Sequence, residues 1–166
     1  MSYSIVYSSN TGNTKLLAET IRDTLPKEEC IYFGESSDEA LKADKIYIGF
    51  WTDKGVCDAD TLAFFKKLTE KNKVYLFGTA GFGGVGYYEK ILEKSEINLP
   101  EGVEVFGKYM CRGKMPMAVR DRYVNLKETS DDPDRFDMLI KNFDKSLSHP
   151  NEKDLQKLIN KVKNMA

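Results

Sequence analysis

Six consecutive residues near the start of the chain, Ser9, Asn10, Thr11, Gly12, Asn13 and Thr14, have the types and spacing of an anion site. Ser9, Thr11 and Thr14 bring hydroxyls, Asn10 and Asn13 bring amides, and Gly12 permits a tight turn. The run lies between an apolar stretch, Ile5 to Tyr7, and a segment with Leu16, Leu17, Ile21 and Leu25 at helical spacing. The first backbone N–H groups of a helix have no intrahelical partner and its dipole is positive there, so a strand–turn–helix junction of small polar residues attracts anions. No lysine or arginine lies inside the run. A phosphate held there would be bound by neutral dipoles, which suits a mononucleotide that is retained rather than cleaved. A P-loop is excluded, because the spacing and the lysine of that motif are missing. A simple helix cap needs far fewer donors than six residues supply.

Two further segments belong to the same chemistry. One is Trp51, Thr52, Asp53, Lys54 and Gly55, directly after an apolar run, and the other is Thr79, Ala80, Gly81 and Phe82. Trp51 is the only tryptophan, and a flat aromatic just past a strand end can stack on a planar ligand. Phe82 is the candidate for the other face or edge of such a ligand, with Gly81, Gly83 and Gly84 allowing backbone N–H groups to approach it. Residues 81–86 also match G-x-G-x-x-G. The dinucleotide fingerprint belongs in the first βαβ unit, which here holds the phosphate loop, so this run reads as a second loop of the same site.

The elements that must position these loops follow from periodicity. Strands are predicted at Tyr3 to Ser8, Cys30 to Phe33, Lys45 to Phe50, Lys73 to Thr79 and Val103 to Met110, and the stretch from Trp51 to Cys57 reads as a loop. Helices are predicted from Gly12 to Leu25, briefly from Ser36 or Ser37 through Leu41, after Asp58 or Asp60, and around Ile91 and Leu92. Alternating strands and helices of this length imply βαβ units and a doubly wound, five-stranded parallel sheet. Two helical patterns follow the last strand where one suffices. The first opens at Asp132-Pro133 and carries Phe136, Leu139, Ile140, Phe143 and Leu147; the second opens at Asn151 with Leu155, Leu158, Ile159 and Val162. The reading is one domain over 1–166, with 112–148 an insertion made of an irregular piece, Lys114 to Thr129, and an extra helix.

Composition narrows the class. The chain has 166 residues with a formal net charge of −1, no basic helix or aromatic–basic stripe, and hence no general pull toward nucleic acid. No apolar run is long enough to span a membrane, and the N-terminus enters a strand without the pattern of a secretory signal, so the cytoplasm is the expected compartment. Cys30, Cys57 and Cys111 are widely spaced and read as free thiols. His149, the lone histidine, has no carboxylate or cysteine pattern around it and is assigned no chemistry.

Ser9, Thr11, Gly12 and Thr14 meet the [TS]-x-T-G-x-T pattern of a phosphate loop placed right after a first strand, and here the chain resembles the flavodoxin family. The resemblance covers everything except 112–148. It implies sheet order 2-1-3-4-5 and noncovalent FMN, with Ser9 to Thr14 on the phosphate and Trp51 to Gly55 and Thr79 to Phe82 framing the ring. It further implies an electron carrier between a reductase and a partner enzyme; the alternative on this fold is an NAD(P)H-dependent flavin or quinone oxidoreductase. The family is typically strongly acidic around its cofactor, whereas these three loops hold one acid, Asp53, and one base, Lys54. Lys108, Arg112, Lys114, Arg120 and Arg122 make a basic segment with Asp121 as its single acid, facing a partner, a nucleotide phosphate or simply solvent.

Overall fold

In the computed structural model, which describes residues 1–165, strands and helices alternate as β1 (Tyr3–Tyr7), α1 (Asn13–Thr24), β2 (Cys30–Gly34), β3 (Lys45–Asp53), β4 (Val56–Cys57), α2 (Ala59–Phe65), β5 (Lys73–Ala80), α3 (Val85–Glu96), β6 (Glu104–Arg112), α4 (Met117–Thr129), α5 (Pro133–Ser146) and α6 (Glu152–Met165). Five strands run parallel in the order β2-β1-β3-β5-β6, and β4 pairs antiparallel with β3. The five long strands therefore follow the expected doubly wound order, with one short strand added.

Both faces of the sheet are covered, so successive residues of its central strands are buried. Ile46, Ile48 and Phe50 of β3 and Val74 and Leu76 of β5 pack with Phe64, Phe65, Leu68 and Ile91 beneath α2 and α3. Tyr47, Tyr75 and Phe77 pack on the other side with Leu17, Ala18, Ile21, Leu158 and Val162 of α1 and α6. Below the loops the two strands interlock. Gly49 is paired with Phe77 and Phe50 with Gly78, and a Cβ on either glycine would lie 2.4 Å from the neighbouring ring. Each phenylalanine fills the space left by the other strand's glycine.

Three expectations are corrected. The stretch from Trp51 to Cys57 is a hairpin, not a loop: Thr52 pairs with Cys57 and Asp53 with Val56. Its two-residue turn has φ 53° at Lys54 and 84° at Gly55, the positive pair of a type I′ turn. The brief helix through Leu41 is a 3₁₀ turn over Asp38–Lys42, where Ser37 Oγ accepts from the Glu39 N–H. The piece from Lys114 to Thr129 is mostly helix α4. None of its residues is buried, so it shows no apolar stripe to read. It lies against α5, joined by Arg120 to Asp144 at 2.9 Å and Lys127 to Asp137 at 2.6 Å. α5 opens where predicted, with Asp132 Oδ1 accepting from the Arg135 N–H and Pro133 in the first turn.

Candidate functional site

β1, β3 and β5 end side by side, and the loops leaving them converge on a cleft of about 340 Å³. Among the residues singled out from the sequence, Ser9, Asn10, Thr11, Asn13, Thr14, Trp51, Thr52, Asp53, Thr79, Ala80 and Gly81 line it. Gly12 instead borders an adjoining hollow of about 260 Å³. Lys54, Gly55 and Phe82 are not part of either lining. A larger hollow of about 580 Å³ runs along β6 between α3 and α6, and none of the three loops enters it.

The first loop is more tightly committed than its composition implied. Gly12, at φ 88° in the left-handed region, starts α1 without a side-chain cap. Ser9 Oγ accepts from the N–H groups of both Gly12 and Lys15, at 3.1 and 3.3 Å. Two backbone donors at the start of α1 thus converge on the Ser9 hydroxyl, at the helix end where an anion is favoured. Asn13 is buried, and its amide donates to Lys114 O and Thr11 Oγ1, both at 2.8 Å. The Thr14 hydroxyl is buried too, 3.0 Å from Phe50 O and 3.2 Å from Thr79 Oγ1. Asn13 and Thr14 therefore brace the loop in this structure rather than offering free donors.

The second segment is fixed by Asp58, which lies almost wholly out of solvent at the start of α2. Its Oδ1 accepts from the Trp51 N–H at 3.3 Å and from the Thr61 hydroxyl at 2.9 Å, and its Oδ2 accepts from the Thr61 N–H at 3.2 Å. One carboxylate thus caps the helix and positions the half-buried Trp51. Thr52 Oγ1 donates to Thr79 O at 2.8 Å, which ties the second loop to the third. In that third loop the missing side chains serve other neighbours than a ligand: a Cβ on Gly81 would meet Met115 Sδ at 2.5 Å, and one on Gly83 would meet the Arg112 guanidinium at 2.9 Å. Phe82 turns its ring edge-on to Tyr87, centroids 6.1 Å apart. Burial holds the Tyr87 and Tyr88 phenols above their ordinary range, so both stay protonated near neutrality.

The rest of the lining comes from the region set apart as an insertion: Gly113, Lys114, Met115, Pro116, Val119, Arg122 and Tyr123. Val119, Arg122 and Tyr123 share one face of α4, so this helix forms a wall of the cleft. The basic segment divides. Lys108 pairs with Glu96 and Arg120 with Asp144, Arg112 donates to Asn142 Oδ1, and Lys114 and Arg122 reach the cleft. The only sequence signal for these contributions was that charge run. His149 does have a carboxylate partner: its Nδ1 lies 2.7 Å from Asp154 Oδ2, an oxygen that also accepts from the Asn151 N–H at 2.8 Å. Backbone bonds from Lys114 N–H to His149 O and from Gly113 N–H to Ala80 O fasten this corner to the cleft.

A fold in which the phosphate-type loop, an aromatic hairpin and a glycine-rich loop meet at the switch between β1 and β3 is the doubly wound, mononucleotide-binding class, for which flavodoxin is itself the standard example of a ligand seated at the switch point. A family model for the flavodoxin domain matches residues 4–163, and the chain belongs to that family. It is 38% identical over 172 residues to the flavodoxin-like domain-containing protein BilS of Clostridium symbiosum (strain WAL-14163), covering 93% of this chain and 90% of the relative. Among solved structures it resembles a short-chain flavodoxin associated with a non-canonical PDU bacterial microcompartment, with a TM-score of 0.60, 17% identity and coverage of 100% and 99%. It also resembles a flavoprotein in complex with FMN from Lactobacillus acidophilus NCFM, with a TM-score of 0.52, 14% identity and coverage of 66% and 92%. No helix among the described residues is long and apolar enough to cross a membrane.

Proposed function

We propose that this chain binds FMN noncovalently in the cleft and carries electrons between a cellular reductase and a partner enzyme in the cytoplasm. The observation that carries the reading is the convergence of three loops on one cleft: the hydroxyl-rich loop at the start of α1, the half-buried Trp51, and residues 79–81. These groups fit FMN. The loop at Ser9 to Thr14 would hold the phosphate by neutral donors, with Lys114 as a nearby charge. Trp51 would offer its face to the ring, and Thr52, Asp53 and Thr79 to Gly81 would meet the ring edge. The bound flavin would supply electron storage. The protein supplies orientation and exclusion of water by the α4 wall, from Val119 to Tyr123.

Two measurements test this. Replacing Thr11 with alanine removes a solvent-reachable hydroxyl whose only bond as a donor, to Lys114 O, is a long 3.3 Å; turned to a charged acceptor such a donor is worth about 1.5–3 kcal/mol, so FMN affinity should fall at least tenfold while riboflavin affinity barely changes. Equal losses for both ligands refute the phosphate assignment. Anaerobic mixing with NADH or NADPH separates the carrier from the alternative enzyme: rapid bleaching of the flavin by the nucleotide alone would favour an oxidoreductase.

A further inference from the structure

The hollow of about 580 Å³ along β6 lies at an open edge of the sheet, because β6 is the last strand on that side. It is nine residues long, and after a bulge at Phe106 its register with β5 is regular from Gly107 to Arg112. The bond from the Gly113 N–H to Ala80 O fixes which way its backbone turns. Tyr109, Cys111 and Gly113 direct their N–H and C=O groups at β5, so Lys108 and Met110 direct theirs outward. Among the described residues these outward groups have no hydrogen-bond partner. A row of such groups is a template for one more strand.

Two helices wall this edge, one over each face of the sheet, and their charges are opposite. Tyr88, Glu89, Leu92 and Glu93 share one face of α3, and Lys157 and Lys161 stand on α6. Two neighbouring groups are already engaged, Glu96 by Lys108 and Asp154 by His149. Glu89, Glu93, Lys157 and Lys161 are exposed and, among the described residues, have no opposite charge within 4.0 Å. The trough between the helices is thus acidic on one side, basic on the other, and floored by unpaired backbone.

We propose that this trough takes an extended segment of a partner protein, added to β6 as a further strand, whose side chains alternate between basic and acidic. Successive side chains of a strand point to opposite faces, so the basic ones reach Glu89 and Glu93 while the acidic ones reach Lys157 and Lys161. Main-chain bonds to Lys108 and Met110 supply the affinity, and the alternation supplies the specificity. A helix has no free backbone groups to offer this edge. A second copy of the chain fits worse as well. Antiparallel pairing of β6 about a two-fold axis normal to the sheet sets α3 beside α3 and α6 beside α6, with glutamates against glutamates and lysines against lysines. None of the three cofactor loops enters the trough, so its occupancy does not depend on the flavin.

The probe is an acetylated and amidated peptide of alternating lysine and glutamate, about eight residues long to match a strand. It is titrated into the isotope-labelled full-length protein and followed by NMR. The N–H resonances of Lys108 and Met110 should shift, and their exchange with deuterium should slow. A peptide of the same composition in the order lysine-lysine-glutamate-glutamate places both signs on each face and should bind about tenfold more weakly. Reversing the charge of the α3 wall by Glu89→Lys with Glu93→Lys, both exposed, should weaken the alternating peptide about as much. Backbone bonding is read by N-methylation, at the lysines of one alternating peptide and at the glutamates of another. Once the charges are seated only one of these sets points its N–H groups at β6, so at least one of the methylated peptides should lose binding.

Equal affinity for the alternating and doubled peptides, unmoved Lys108 and Met110 resonances at millimolar peptide, or full binding by both methylated peptides overturns the proposal. Protection of the same two amides without peptide, growing with protein concentration, overturns the choice of occupant in favour of a second copy.

Discussion

Gly113→Ala is the substitution that should best reveal how the first loop is held. A Cβ at position 113 would lie 2.5 Å from Asn13 Nδ2, 2.8 Å from its Cγ and 3.1 Å from its Cβ. Asn13 is 7% exposed and cannot swing into solvent without breaking its bonds to Lys114 O and Thr11 Oγ1. Overpacking of this kind costs about 1–3 kcal/mol, and each lost neutral hydrogen bond adds about 0.5–1.5 kcal/mol. The single variant should therefore lose about 2–4 kcal/mol in urea unfolding, and bind FMN more weakly. Asn13→Ala alone loses the two bonds and should cost about 1–3 kcal/mol. In the double variant the colliding amide is gone, so the two effects should fall short of additivity by about 1–2 kcal/mol. Gly86→Ala is the control: no atom lies within 4 Å of its added Cβ, and in the first turn of α3 it should be neutral or stabilising by about 0.4–1 kcal/mol. Additive costs at positions 13 and 113, or a Gly113→Ala protein as stable as the parent, would refute the reasoning.

Removing the Asp58 carboxylate with alanine strands the Trp51 and Thr61 N–H groups and should cost about 2 kcal/mol or more; a smaller loss in denaturant titration would mean that water replaces it. FMN should strongly quench the fluorescence of Trp51 in the apoprotein, and emission indifferent to FMN would remove this residue from the ring. Burial pushes the Cys57 thiol up to about 11 and the Tyr47 phenol up to about 12. The folded state holds both protons more tightly than the unfolded chain, so their contribution is intact below the unfolded values and is lost as pH rises from about 9 to 12. Unfolding free energy measured across that window should fall, and should fall less in Cys57→Ala. At pH 8 a thiol reagent should modify Cys30, half-buried on β2, well before the buried Cys57 and Cys111.

The sheet was legible because its strands are buried on both faces, which leaves apolar runs such as Ile46 to Phe50 with little competing pattern. The core of the site was legible for a local reason: Ser9 to Thr14, Trp51 and Thr79 to Gly81 each follow a strand directly. What escaped is the part with no local signature. The turn at Lys54-Gly55 lacks the usual Asn-Gly or Asp-Gly pair, and β4 is two residues long, too short for periodicity. Helix α4 buries none of its residues, so its role as a wall depends on where β6 and α5 place it. Asn13 and Thr14 looked like free donors because their acceptors, Lys114 O and Phe50 O, are remote in sequence. Asp154 is only five residues from His149, but it took the turn before α6 to bring their side chains together.

The bonds at Lys114 set an order on the protein's synthesis. The phosphate-type loop leaves the ribosome early, yet Asn13 and Thr11 donate to a carbonyl about a hundred residues downstream, and that residue's own N–H waits for His149. A nascent chain that ends after β5 already has the three central strands and the polar loop, held by the Thr14 bonds to Phe50 and Thr79 but lacking the brace from Lys114. Chains emerge N-terminal end first at about 5–20 residues per second, so for several seconds the most conspicuous part of the site exists unfinished. The last third of the polypeptide thereby acts as a latch on the first tenth, and a message truncated before residue 149 would leave Lys114 without the bond that holds it at the loop.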